Sequence, residues 1–337
     1  MKAISFDKTG TPADDFAVLQ IREHAIPEIG DKEVLIKMSA VSINPGDFLF
    51  IQSLYPEPKK PNFPKQIAGT HGAGIVVKAG KNVSYQPGTL VYFSYLKSWA
   101  EYAVVPEEWL IPLPSDYPLE KASQFGNLVS AWDMLEESKV KPGDWLALTA
   151  GNSTVATMVS QFANLRGVNV ISLVRKVQEH VPLNDLGVTK IIELSKLSCN
   201  VHDQIMEITK NKGLNGIIDC VGGPVTGELI QTLSFDGRII IYGGFSSEKF
   251  ELHNFDILFK NAVMKAYGYR YFFQPPTEED NFLLQKIAEA ANTPKFRVPI
   301  GGMHALEDYK TAIYESIHHP ERGKRFFIFS DEREESI

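Results

Sequence analysis

The residues with the clearest chemical potential lie mid-chain, where Trp145-Leu-Ala-Leu-Thr149 runs into Ala150-Gly-Asn-Ser-Thr-Val-Ala156. An apolar run, a turn of small residues and a helical stretch read as strand, loop and helix N-terminus. Such a loop presents backbone N–H groups to a phosphate, because the first N–H groups of a helix have no carbonyl one turn earlier. Gly151 allows close approach, and Asn152, Ser153, Thr154 and Val155 surround it; Thr154 and Ala156 stand where further glycines would help. The same residues also suit an ordinary strand–helix turn capped by Asn152 or Ser153. The strand–helix alternation around them favours the phosphate loop. The next strand ends in Val174-Arg175-Lys176. An acidic residue there would bind a ribose 2′-hydroxyl, whereas two cations suit a 2′-phosphate. The expected cofactor is therefore NADP(H) rather than NAD, the bland alternative being a solvated basic pair.

The chemistry to set aside is as informative. His71 is a lone histidine in a glycine-rich segment, a setting in which a packed or hydrogen-bonded imidazole is commoner than a ligand. Cys199 and Cys220 are the two cysteines, too few for a disulfide framework or a four-thiolate zinc lobe, and both read as free buried thiols. The expectation is no metal and no zinc. The net charge of −7 argues against nucleic acid or an anionic membrane as partner. No apolar run approaches the ~18 residues of a membrane span. Asp7, Asp14 and Asp15 come too early for a signal peptide, so a cytoplasmic protein is expected.

The elements that must position these residues fall into three stretches. Up to about residue 118 the chain alternates β-rich runs, such as 34–43, 74–78 and 89–93, with Gly, Pro, Asn and Asp turns. From about 119 to 267 strands at 145–149, 169–174, 216–221 and 238–242 alternate with helices at 153–165, 202–210 and 224–233. Continuous apolar strands between amphipathic helices mean a parallel sheet covered on both faces, a doubly wound Rossmann fold. The remainder offers helices at 278–291 and 308–318 and a strand at 325–329, too little for a separate domain. The expectation is an α/β chain in which a Rossmann domain, 123–267, is inserted in a β-rich domain, 1–122 and 268–337, which the family resemblance given below makes a GroES-like catalytic domain. Residues 331–337 are charged and read as frayed.

Motifs in order along the chain resemble the zinc-independent medium-chain dehydrogenase/reductases. They are Met1-Lys-Ala-Ile-Ser-Phe-Asp-Lys, Ser42-Ile-Asn-Pro-Gly-Asp47, Gly69-Thr-His-Gly-Ala-Gly-Ile-Val76, Val140-Lys-Pro-Gly-Asp144, Asp219-Cys-Val-Gly-Gly223, Tyr242-Gly-Gly244 and Gly323-Lys-Arg-Phe326. Each is weak; their order and spacing cover nearly the whole chain. Within that superfamily 43–56 is similar to a segment of the 2-enoyl thioester reductases, and the quinone reductases share a tyrosine there. In place of the zinc family's Gly-His-Glu, this chain has Thr70 and His71, with no cysteine before Cys199. Where enoyl reductases carry a tryptophan, Arg270 stands in Gly268-Tyr-Arg-Tyr271.

The resemblance implies hydride transfer from a nicotinamide to a quinone or an activated C=C, in an enone or 2-enoyl thioester. Negative charge then develops on a carbonyl oxygen and a proton must follow. It assigns Tyr55 as the donor at that oxygen and Asn44 as an orienting residue. It adds Ser130, Gly243, Gly244, Phe245 and Lys324 to the cofactor-binding set. Phe48, Leu49, Phe272 and Phe273 are candidates for an apolar lining, and a homodimer paired along the 262–267 strand is implied. From the residues alone, Tyr55 equally reads as a surface tyrosine in a proline-rich loop. A second class of function stays open: a catalytically weak NADPH-binding redox sensor or structural relative, motivated by the glycine-poor loop.

Overall fold

The computed structural model describes residues 1–196 and 200–329. Cys199 and the frayed tail expected at 331–337 lie outside the described residues. The chain divides into two compact units. The first comprises Met1–Gly126, Arg270–Thr293 and Ile300–Ile337, and the second Asn127–Tyr269 and Pro294–Pro299.

The first unit opens with β1 (Lys2–Phe6), β2 (Gln20–Glu23) and β3 (Glu33–Ser42). β3 alternates half-buried and buried residues from Glu33 to Ala40 and is buried from there to Ser42. Helix α1 (Pro45–Ile51) follows at once. Proline at its first position is preorganised for a helix. Asp47 reaches back to accept from the Asn44 backbone N–H at 2.9 Å. Then come β4 (Gln66–Ile67), β5 (Gly72–Ala79), β6 (Leu90–Phe93), β7 (Tyr102–Pro106), β8 (Leu110–Pro112) and the short helix α2 (Leu119–Ala122). Phe50, Phe93, Trp99 and Phe327 sit in the fully buried core of this unit.

The second unit holds most of α3 (Phe125–Ser138), then β9 (Trp145–Leu148), α4 (Thr154–Leu165), β10 (Asn169–Val174) and β11 (Lys190–Glu193). It continues with α5 (Val201–Ile208), β12 (Leu214–Asp219), α6 (Pro224–Gln231), β13 (Leu233–Ile241), α7 (Asn254–Leu258) and β14 (Val263–Ala266). The six strands run in the order β11-β10-β9-β12-β13-β14, and every pairing is parallel. In sequence rank that is 3-2-1-4-5-6, the Rossmann order, whose reversal between β9 and β12 marks the ligand-binding end.

The chain returns to the first unit with α8 (Asn281–Ala291), β15 (Ile300–His304), α9 (Tyr309–His318) and β16 (Lys324–Ile328). β16 pairs with β3, completing a sheet β15-β16-β3-β5-β6-β8, with β7 also on β3. Two expectations need correction. Residues 278–280 form a separate 3-10 turn before α8 rather than its first turn. Pro294–Pro299, expected in the catalytic domain, groups with the second unit, where Phe296 packs on Phe162 at 4.8 Å and Gln161 bonds the Arg297 backbone.

Candidate functional site

In the first unit Asn44, at the end of β3, joins a buried polar network whose proton positions follow from one group. The Lys324 ammonium can only donate, and it donates to Asn44 Oδ1 at 2.7 Å and to the Ile43 carbonyl at 3.1 Å. This fixes the amide so that Nδ2 faces His71 Nε2 at 2.7 Å and Ser42 Oγ at 3.2 Å. Nε2 therefore accepts, and the imidazole proton sits on Nδ1, 3.0 Å from Thr70 Oγ1. Thr70 passes its own proton to Asp47 Oδ1 at 2.8 Å, and Ser42 donates to the Ser123 carbonyl at 2.9 Å. Burial, opposed by Asp47 but reinforced by Lys324, holds the His71 pKa below its ordinary value, so the ring is neutral. Burial likewise pushes Lys324 down to about 8, against the pull of Asp47.

Tyr55 follows α1 and is half-buried rather than on the surface. Its ring lies 4.6 Å from that of Phe272. The hydroxyl lies over Gly46, where a Cβ would come within 2.8 Å of it; any side chain at 46 would displace it. Burial first, and the Asp47 charge second, raise the phenol above its ordinary pKa. Tyr55 is thus a fully protonated O–H donor at neutral pH, suited to an oxygen that gains negative charge. Of the other candidates, Phe48 stacks on Phe16 at 4.9 Å in the core, whereas Leu49 and Phe273 are exposed. Arg270 pairs with Asp280 at 3.5 Å.

In the second unit the expected cofactor residues assemble by backbone geometry. Ser153 caps α4 by accepting from the Ala156 N–H at 3.3 Å. By position, the N–H groups of Thr154 and Val155 remain for a ligand. Gly151 is required by close approach: a Cβ there would lie 2.5 Å from Ser172 Oγ on β10. Asn152 Nδ2 donates to the Lys176 carbonyl at 3.0 Å, tying the loop to the end of the second strand. Its Oδ1 is buried with no partner. Arg175 and Lys176 are exposed just past β10, and no carboxylate among the described residues pairs with either. The residues present therefore fit a pyrophosphate and a 2′-phosphate. Ser130 is half-buried on α3. Gly243 packs on the Cys220 backbone, and the Phe245 N–H reaches the Cys220 carbonyl at 3.3 Å, with Gly244 and the Phe245 side chain exposed.

Sequence reading missed several partners. Asp47 was legible as the third residue past Asn44 in a capping pattern, and Gly46 only from the Tyr55 contact. Asp219 accepts from Thr149 Oγ1 at 2.6 Å, from Thr226 Oγ1 at 2.9 Å and from the backbone after β12. Cys220, just past β12, is a buried thiol outside any disulfide, and its backbone N–H donates to Thr149 Oγ1 at 3.0 Å. Nothing local in the sequence signals these pairings. The lone imidazole, His71, has both nitrogens committed, and the described residues hold no cluster of three or more metal-ligating side chains. The residues at this place do not fit a zinc ion.

The family of alcohol dehydrogenase GroES-like domains matches residues 30–115, and that of zinc-binding dehydrogenases matches residues 154–289. Mitochondrial enoyl-acyl-carrier-protein reductase from Xenopus tropicalis is 28% identical over 329 residues, covering 94% of this chain and 91% of its own. The protein of that name from Homo sapiens is 27% identical over 328 residues, covering 94% and 86%. Escherichia coli quinone oxidoreductase complexed with NADPH has the same fold, with a TM-score of 0.79 at 22% identity over 98% of this chain and 100% of that one. The complex of Etr1p with NADP and crotonyl-CoA gives 0.80 at 23% identity over 97% and 99%. The chain belongs to the medium-chain dehydrogenase/reductase superfamily of oxidoreductases, similar in sequence to enoyl reductases and in fold to a quinone oxidoreductase.

Proposed function

We propose that this chain is an NADPH-dependent reductase that delivers hydride to a quinone or an activated C=C, in an enone or a 2-enoyl thioester. The observation that carries the reading is the Tyr55 hydroxyl, half-buried over Gly46 and kept protonated by burial and Asp47. Bound NADPH would supply the hydride from its nicotinamide. Arg175 and Lys176 would hold the 2′-phosphate, and the N–H groups of Thr154 and Val155 the pyrophosphate. Gly243, Gly244, Phe245 and Ser130 would complete the cofactor contacts, with Asn44 and Lys324 as orienting groups. Tyr55 donates to the substrate oxygen as charge develops there.

Tyr55→Phe should lower the rate on enones and enoyl thioesters by roughly ten- to a thousandfold, the range for a lost oxyanion or proton donor. NADPH affinity should stay unchanged. Quinones should lose less, because aromaticity already stabilises their reduced product. Full activity on every accepted substrate would remove Tyr55 from the mechanism. The alternative reading, a weakly active NADPH-binding sensor, is supported by Thr154 and Ala156 in place of glycines. Tight NADPH binding without turnover on any of the three substrate classes would favour it.

The proposal includes zinc independence, a homodimer and a cytoplasmic location. For the first, the committed nitrogens of His71 are the support, and activity lost on chelation and restored by zinc would refute it. For the second, β14 is the sheet edge, with Val263 and Met264 exposed there and Phe255 and Phe259 exposed just upstream; a monomer in sedimentation at micromolar concentration would refute it. For the third, no helix among the described residues is long and apolar enough to cross a membrane, and the net charge of −7 disfavours an anionic membrane surface. Several curated relatives are named mitochondrial, so cell fractionation tests it.

A further inference from the structure

Lys59 lies four residues past Tyr55, in the same proline-rich loop, and is only 4% exposed. A buried ammonium ordinarily has a carboxylate. No carboxylate among the described residues pairs with this one, and its sole polar contact is the Ser94 carbonyl at 3.4 Å. Its surroundings are aromatic instead. Nζ stands 4.9 Å from the Trp109 ring centroid, 5.3 Å from that of Phe272 and 5.8 Å from that of Tyr95. Phe272 is also the ring on which Tyr55 packs, at 4.6 Å. The two side chains of one loop therefore grip the same ring, and the ring faces of the cage attract the cation.

We propose that Lys59 is a positioning residue for Tyr55: its charged ammonium, caged by Trp109, Tyr95 and Phe272, pins the 52–65 loop and thereby seats the Tyr55 hydroxyl over Gly46. The inference rests on the role given to Tyr55 above. A methionine of similar length would fill this apolar cage without desolvating a charge, so the ammonium is retained here against its folding cost. Burial alone pushes Lys59 down to about 8. The clamp is therefore closed at neutral pH and opens as pH rises through about 8, when the amine loses its proton and its attraction to the rings. The titratable groups around it are few. Tyr95 is raised by burial and by Glu33 and Glu108, and His71 feels the Lys59 charge but is kept neutral.

The test uses the whole protein with NADPH and an enone or enoyl thioester. Lys59→Met should lower kcat about two- to thirtyfold, the rate equivalent of a cation–π contact. NADPH affinity should not change, and thermal stability should be equal or higher. Lys59→Arg, charged at every accessible pH, should recover most of the rate. The wild-type rate should fall above about pH 8, and in Lys59→Arg that fall should shrink to the part that Lys324, also near 8 and untouched by this substitution, contributes. A Lys59→Met protein with wild-type kcat and wild-type alkaline limb, beside an impaired Tyr55→Phe, would overturn the clamp and leave Tyr55 standing. An equal rate loss in the Met and Arg variants would overturn it too, because charge would then be irrelevant. Full activity in Tyr55→Phe would sink the reading of Tyr55 and, with it, the positioning role of Lys59. The cage itself is followed separately by Trp109 fluorescence, which should change near pH 8 in the wild type and not in Lys59→Met.

Discussion

The two units build their candidate sites by opposite means. In the first, side chains are locked to side chains: Lys324 orients Asn44, Asn44 sets the His71 tautomer, and Thr70 closes the chain onto Asp47. In the second, the backbone presents the site: a capped helix end, a glycine pressed against β10, and two cations left in solvent. A buried network is costly to leave half-made, whereas exposed groups wait for a ligand at little cost to folding. The first site should therefore answer mutation with lost stability, the second with lost affinity.

The largest effect expected is on the network. His71→Ala removes one hydrogen-bond partner each from Asn44 Nδ2 and Thr70 Oγ1, which keep Ser42 Oγ and Asp47 Oδ1, and each buried hydrogen bond left unmade costs about 1–3 kcal/mol. Urea unfolding should show a loss of several kcal/mol. An unchanged midpoint would show that the network contributes nothing to folding and would break the contrast.

Arg175→Ala should do the reverse. The unfolding midpoint should not move, while the loss of a charge-assisted contact, about 1.5–3 kcal/mol, should raise the NADPH dissociation constant by roughly ten- to a hundredfold and leave that of NADH nearly unchanged. Equal losses for both cofactors would remove the 2′-phosphate assignment.

The smallest effect concerns pH. Lys59 and Lys324 have folded pKa values near 8, below the 10.5 of an exposed lysine. Between those values the unfolded chain binds more protons than the folded one, so each lysine makes stability rise with pH across that window. Above about 9 to 10 the raised Cys220, Tyr55 and Tyr242 oppose the trend, because they stay protonated when folded. The clean measurement is a difference: Lys59→Met should show a flatter stability profile than the wild type between pH 8 and 10. An identical slope would mean that Lys59 is not desolvated.

Much of the Rossmann unit was readable because its central strands are buried on both faces, so the alternation of strand and helix follows from apolar pattern. The loop after β9 was placed for the same reason, although four-residue β11 was too short to signal itself. In the first unit, β3, β5 and β6 were legible as β-rich runs bounded by turn residues, while the short strands β4 and β8 were not. Tyr55 illustrates the limit. Its neighbours Pro56, Glu57 and Pro58 read as a solvated loop, and only contact with Phe272, more than two hundred residues away, makes it half-buried.

By itself, then, the sequence determined the strand–helix alternation of the doubly wound unit, the capped loop after β9 and the cationic end of the second strand, because each depends on residues within one turn or one strand of each other. The tertiary structure alone decided the tautomer of His71, the amide orientation of Asn44 and the aromatic cage around Lys59. Those states depend on partners brought together from β3, β5, β16 and the 270s, and burial sets their energies. Desolvation and hydrogen-bond accounting are properties of that assembled environment, which no local pattern encodes.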